Sequence, residues 1–255
     1  MSSREGDDKA RQIEQLRALE IEEARNIQRA MVCVEPLRIT PTEIASRFRP
    51  VKEVGGDFLD YFQLEDQRLG LYLGDVVGKG LAAAMYAALA MGTLRGIHKS
   101  GTDPSSVMAL LNERLRMRVV PGRYCALQYA VFDPATLELC YANAALPRPI
   151  LVSPRGCREV GDGGLPSGLF AGAVYDRYAV DLQTGDGVLF YTDGILEARN
   201  EAGEEFGLER ILELCARNSS TSPDTLLDRL FADVDAFTGE GAAHDDMTAI
   251  VLKTG

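Results

Sequence analysis

Strand-like stretches in this chain follow one another in runs, and the helical stretches come in pairs. The regular βαβ alternation that builds a parallel sheet is absent. In "RLGLYLGDV", Leu69, Leu71 and Leu73 recur every second residue, which predicts a strand. "GLAAAMYAALAMGTLRGIHKS" reads as a helix, small on one side for close packing, with the Met and Ala stripe over 85–91 in a core. A second helix opens at Pro104 and runs to Arg118. "CALQYAVFD" and "LELCYANAA", divided by the Asp133-Pro134 turn, predict a hairpin. "PILVSP", "YDRYAVDL" and "GVLFYTDG" carry further strand signals. Two helices are expected near 208–218 and 223–237, and "MTAIVLKT" closes the chain as a strand. The pattern predicts an α+β sandwich of mainly antiparallel sheets over residues 43–255.

Upstream, residues 1–8 are polar and expected to be a disordered tail. Residues 9–35 are expected to be an amphipathic helix, with Ile13, Leu16, Ala24, Ile27, Met31 and Val34 on one face. Glu20 and Glu23 interrupt that face, so a strict heptad fails. Either the helix lies on its own domain, or it dimerises or relays a signal. Pro36, Pro41 and Pro50 punctuate the connection to the domain.

Charge and cysteine usage narrow the function classes. The net charge of −11 over 255 residues disfavours a nucleic-acid surface. No apolar run approaches the roughly 18 residues of a membrane span, and the polar N-terminus has no signal-peptide pattern. Five scattered cysteines without a CxxC spacing suggest reduced thiols and a cytoplasmic protein. With two histidines, Cys/His zinc chemistry is nearly excluded. A phosphate-cradling loop at "LGDVVGKGLAAAM" fails on spacing. Gly74 and Gly78-Lys79 enclose three residues where that loop needs four, and Gly80 stands where a hydroxyl is required. What remains is Asp75, at the end of an apolar strand.

Three other segments share that grammar: "VGGDFLDYF" with Asp57 and Asp60, "FYTDGILEARN" with Asp193, and "AHDDMTAIVL" with Asp245 and Asp246. In each, an apolar run abuts an aspartate with a small residue close by, so the carboxylate can point into a shared cleft. Clustered carboxylates repel and raise one another's pKa unless a cation joins them. Oxygen donors without a matching Cys or His set select hard ions: magnesium, manganese or calcium. The calcium-loop pattern is absent. Two such ions bridged by one carboxylate form a hydrolytic centre that needs no protein nucleophile.

In these segments, taken in order, the chain resembles the PPM-type, protein phosphatase 2C-like, metal-dependent serine/threonine phosphatases of the bacterial SpoIIE/RsbU branch. The likeness runs from about Ala24 to Leu252, through "ARNIQRAM", "RPVKEVGGDFLDYF", "LGDVVGKGLAAAM", "GDGVLFYTDGILEARN", "EEFGLERI" and "DDMTAIVL". It implies a four-layer αββα sandwich with two divalent cations, Mn2+ or Mg2+, at one edge. By resemblance, Asp75 bridges both ions and Val76 offers its backbone carbonyl to one. Asp193 and Asp245 complete the carboxylate ligands, Asp57 binds metal directly or through water, and Asp246 stands behind the ligands. The implied substrate is a phosphorylated protein, in this branch a STAS-type anti-sigma-factor antagonist. A regulatory protein or a homodimer through the N-terminal helix would supply control.

The resemblance departs at "ANAALPRPIL", where the branch has Asn-Ala-Gly-His followed by prolines. Two readings therefore stand: an active phosphatase, or a catalytically weak switch or scaffold of the same fold acting by partner binding. Other residues have plainer expectations. Lys79 is read as a solvated turn residue, and His98 is placed near a helix end. His244 is read as a bystander beside Asp245, Arg148 and Arg199 as salt-bridge partners, Asp60 as a strand-edge acid, and Asn200 as a turn residue.

Overall fold

The computed structural model describes residues 2–98, 103–239 and 244–255. A long helix, α1 (Ser2–Met31), leads into a short hairpin, β1 (Leu37–Ile39) and β2 (Thr42–Arg49). Next come β3 (Phe58–Gln63), β4 (Leu69–Val76), the helix pair α2 (Leu81–Ile97) and α3 (Pro104–Arg116), and the hairpin β5 (Cys125–Asp133) and β6 (Glu138–Ala144). Three short strands, β7 (Ile150–Val152), β8 (Arg158–Glu159) and β9 (Tyr178–Asp181), precede β10 (Gly187–Tyr191). A single turn α4 (Asp193–Leu196), the pair α5 (Gly207–Arg217) and α6 (Pro223–Thr238), and β11 (Met247–Thr254) finish the chain.

The strands form two sheets, ordered β1-β2-β11-β10-β7-β8 and β3-β4-β5-β6-β9, with every neighbouring pair antiparallel. Alternation within the strands builds the layers. Leu71 and Leu73 of β4 point between the sheets, where they meet Leu59, Ala130, Phe132, Phe190 and Ile250. Tyr72, between them in sequence, points the other way and packs with Leu94 of α2 and with Met108 and Leu111 of α3. On the opposite outer face, Leu189, Tyr191 and Val251 pack against Ile211 of α5 and Leu227 and Leu230 of α6. The four-layer αββα order thus follows from strands that are apolar on both faces.

Helix boundaries follow local chemistry. α3 begins where Asp103 caps the backbone N–H of Ser106 at 3.1 Å with Pro104 in the first turn, and α6 begins the same way with Ser222 and Pro223. α3 ends two residues before the expected Arg118. The expected extension of α2 over Lys99 and Ser100 lies outside the described residues. α1 starts at Ser2 rather than at residue 9, so helix covers most of the stretch expected to be a disordered tail, and it stops at Met31. The domain's first hairpin begins at Leu37, ahead of the expected boundary at 43. Among the described residues, no helix is long and apolar enough to cross a membrane.

Because Leu71 is fully buried between the sheets, Leu71→Ala should cost about 2–5 kcal/mol of stability. Urea unfolding midpoints measure this. A change under about 0.5 kcal/mol, the size typical of a surface substitution, would contradict the layer assignment.

Candidate functional site

Four chain segments bring their aspartates to one edge of the sandwich. Asp75 is the penultimate residue of β4, opposite Ala126 of β5. Gly78 (φ 96°) and Gly80 (φ 74°) then turn the chain into α2 in a backbone region costly for any other residue. Asp57 immediately precedes β3, whose Phe58 pairs with Gly74. Asp193 opens α4 directly after β10, and Asp245 and Asp246 immediately precede β11. Since β3 and β4 belong to one sheet and β10 and β11 to the other, the site exists only when both sheets stack.

Asp57 makes that junction. It is almost wholly buried, and its Oδ2 accepts hydrogen bonds from Thr192 Oγ1 at 2.9 Å and Thr248 Oγ1 at 2.5 Å. Its Oδ1 is buried without a hydrogen-bond partner. Burial, then the charges of Asp75 and Asp246, push its pKa well up, against the pull of the two threonines. Asp75 is pushed up to about 7 by burial and by the charges of Asp193 and Asp245. Asp193 is raised by burial, then by Glu197 and Asp245. Burial leads each shift, and the repulsive share is what carboxylates produce when they converge with no cationic side chain among the described residues paired to Asp57, Asp75 or Asp193.

Asp246 does something different. Its two oxygens accept the backbone N–H groups of Val51, at 2.7 Å, and Gly56, at 2.6 Å. The 51–56 loop is thereby folded over the site. A Cβ at Gly55 would stand 2.3 Å from Asp246 Oδ2, and one at Gly56 would stand 2.7 Å from the Val76 carbonyl oxygen. The Gly55-Gly56 pair is therefore a steric requirement of this loop. Gln28 of α1 grips the same loop, donating to Gly55 O at 2.8 Å and accepting from Gly55 N at 3.1 Å.

Asp245 is engaged on both oxygens. Oδ1 accepts the N–H of Asp246 at 2.9 Å, and Oδ2 pairs with the Lys79 ammonium at 2.9 Å. Lys79 also donates to the backbone carbonyl of His244. It thus links the two sides of the site while remaining the solvent-exposed turn residue expected from sequence. A cavity of about 350 Å3 lies alongside, lined by Lys79, Gly194, Glu197, Arg199, His244 and Asp245 among others. Among the described residues, no three acidic, histidine or cysteine side chains stand as a ready-made ligand group. The donor chemistry nonetheless fits a hard cation. Its oxygens are carboxylate and carbonyl, one buried carboxylate oxygen lacks a partner, and burial together with neighbouring carboxylates raises three of the acids.

The other singled-out residues lie in structural contacts. Arg199 pairs with Glu205 at 2.8 Å and Arg148 with Glu159 at 3.0 Å; Asp60 pairs with Arg95 at 2.7 Å. Asn200 accepts from Glu204 N at 2.9 Å in a turn, and His98 caps α2. Ala145 takes a positive φ of 68° and Leu146, next to it, is buried between the sheets. The Asn143 side chain closes the turn on Leu146, accepting its N–H at 3.1 Å and donating to its carbonyl at 3.0 Å. The "NAALPRP" segment is thus held by packing in the inter-sheet layer and by the Asn143 side chain. Sequence reading missed Gln28, Thr192 and Thr248. A hydroxyl one or two residues from an aspartate at a strand end was the available signal for the threonines.

Comparison with known proteins gives a consistent picture. The family model described as "Stage II sporulation protein E (SpoIIE)" matches residues 65–255. Protein IcfG of Synechocystis is 24% identical over 262 residues, covering 92% of this chain and 41% of its own length. The chain therefore spans less than half of that relative. Phosphoserine phosphatase RsbU of Bacillus subtilis is 25% identical over 240 residues, covering 92% of this chain and 70% of its own. The solved SiaA-PP2C domain of Pseudomonas aeruginosa superposes with a TM-score of 0.82 at 19% identity, covering 95% of this chain and 98% of that one.

The raised carboxyls set a pH dependence. A carboxyl whose pKa is higher in the folded chain holds its proton more tightly there than in the unfolded chain. Stability then falls as pH rises from about 4, the ordinary carboxylate range, to about 7, the value for Asp75. In chelator, the melting temperature should drop across this window, by ~2–4 °C for each kcal/mol lost. Manganese should flatten the profile. A chelated protein with a flat or rising profile would contradict the convergence of buried carboxylates.

Proposed function

The chain belongs to the SpoIIE family, within the PPM-type phosphatases of the SpoIIE/RsbU branch, and we propose that it is a metal-dependent phosphoprotein phosphatase acting on phosphoserine and phosphothreonine. One observation carries this reading. Asp57 is buried, Asp75 and Asp193 stand half-buried beside it, all three have raised pKa values, and an oxygen of Asp57 has no hydrogen-bond partner. Such an arrangement is costly unless a cation completes it.

Asp75, Asp193 and Asp245 would hold two divalent ions, Mn2+ or Mg2+, with the Val76 carbonyl as a further oxygen donor. Asp57 would act directly or through water, while Asp246 holds the 51–56 loop in place. Ions held there supply an activated water and charge neutralisation at phosphoryl oxygens. The protein's own part is orientation. Thr192 and Thr248 fix the Asp57 carboxylate, and the glycine turn after Asp75 presents its side chain at the strand end. The overall reaction takes a phosphoserine ester and water to serine and inorganic phosphate. By analogy with its branch, the substrate would be a phosphorylated STAS-domain protein in a partner-switching pathway.

Control would come through α1. Ile13, Leu16, Leu19 and Ile27 are exposed along it, and Leu81, Met85 and Leu89 are exposed on the neighbouring α2. This apolar face suits a second copy of the chain or a regulatory protein. Gln28 links α1 directly to the loop over the site.

With manganese and a phosphoserine protein, Asp75→Asn should reduce turnover by more than the roughly 10–100-fold that loss of a supporting partner costs a metal site. Asp193→Asn and Asp245→Asn should each do less damage. Wild-type turnover in all three at saturating manganese would refute the assignment. So would a phosphoenzyme trapped on a protein side chain.

Removing residues 2–24 spares Gln28 and Val32. In sedimentation it should lower the particle mass from dimer to monomer, and the apolar face was worth roughly 25 cal/mol per Å2 buried. An unchanged mass together with unchanged turnover would mean that this part of α1 serves neither assembly nor control.

A further inference from the structure

We infer that Lys79 is a built-in competitor for the cation at Asp245, so that loading of the centre requires the ammonium to be displaced. The inference rests on the reading of Asp245 as an ion ligand and adds a residue that tunes how tightly the ion is held. Both oxygens of Asp245 are engaged: Oδ1 by the N–H of Asp246 and Oδ2 by Lys79, each at 2.9 Å. An ion that takes Oδ2 must displace the lysine from it. Among the described residues, Lys79 is the one cationic side chain paired with any of Asp57, Asp75, Asp193 or Asp245.

Placement makes the competition specific. Lys79 sits in the turn directly after the β4 residue Asp75, between Gly78 and Gly80, whose positive φ angles fix the turn. Through its ammonium this turn reaches Asp245 and the carbonyl of His244, just ahead of β11 in the other sheet. The lysine therefore ties the turn after β4 to the segment ahead of β11, and it does so on a carboxylate that would hold the ion. Arg199 lines the same cavity but is taken by Glu205.

The contact is also reversible by construction. The lysine and aspartate side chains retain 37% and 46% exposure, so water screens the pair. Exposed pairs of this kind shift an equilibrium by about two- to fivefold. A divalent ion with several carboxylate ligands overcomes that. The adjacent cavity of about 350 Å3 gives the ammonium somewhere to go without uncovering the core.

The test is a calorimetric titration of the full chain with MnCl2, with no substrate present. Lys79→Gln should bind manganese about two- to fivefold more tightly than wild type. Lys79→Arg, which keeps a cation at this position, should stay close to wild type. The gain should vanish when Lys79→Gln is introduced into an Asp245→Asn background, because the coupling runs through that carboxylate. Arg199→Gln removes the same charge from the same cavity and should gain less. Unchanged or weaker binding by Lys79→Gln would overturn the inference. So would a gain that persists in the Asp245→Asn background or is matched by Arg199→Gln, since either would reduce the effect to a general field. A wild-type chain that binds no manganese would instead sink the metal reading itself, and the competition with it.

Discussion

Asp57 is held across the gap between the two sheets: one oxygen takes the hydroxyls of Thr192 and Thr248, and the other has no hydrogen-bond partner. A carboxylate in this position is costly to bury, and everything around it serves either to bind it or to set it against other acids. The threonines come from the end of β10 and the start of β11, and Asp57 itself leads into β3. Closing the sandwich and assembling the site are therefore one event. Loss of sheet stacking would take the acids apart, and repulsion among the acids opposes the stacking.

That opposition explains the loop architecture at this edge. Asp246 is stabilised by two backbone N–H groups, so it can be buried without pairing to a cation. In doing so it draws the 51–56 loop over the site, and the loop in turn is gripped by Gln28 of α1. The N-terminal helix therefore reaches the site through one amide side chain and a glycine backbone. Among the described residues, α1 beyond that anchor is mostly exposed and carries Ile13, Leu16 and Leu19 at its surface.

Turns at the site are built from residues with little choice. Gly55 and Gly56 face Asp246 and the Val76 carbonyl at distances that exclude a Cβ. Ala145, by contrast, adopts a left-handed conformation with a side chain that disfavours it. The neighbouring Leu146 is buried in the inter-sheet layer and the Asn143 side chain clamps the turn, so tertiary packing holds that conformation.

Much of this protein was legible in its sequence, and for physical reasons. The period-two leucines of β4 and the hairpin flanking Asp133-Pro134 report which side of a strand meets which layer. Capped starts such as Asp103-Pro104 and Ser222-Pro223 report where helices begin, because the N–H groups they satisfy are local. The four segments in which an apolar run abuts an aspartate with a small residue close by pointed to acids that the fold gathers at one edge. What sequence could not supply is anything that depends on two distant segments meeting. β2 has few apolar residues and buries Thr42 and Ser46, so its place as an interior strand beside β11 comes from pairing along its whole length rather than from its own pattern. The support of Asp57 by threonines 135 and 191 positions away, the hold of Gln28 on Gly55, and the seat of Lys79 on Asp245 are likewise products of sheet stacking. Local chemistry chose the acids. Only the tertiary fold decided which of them are buried, which are bonded to backbone, and which one faces a lysine.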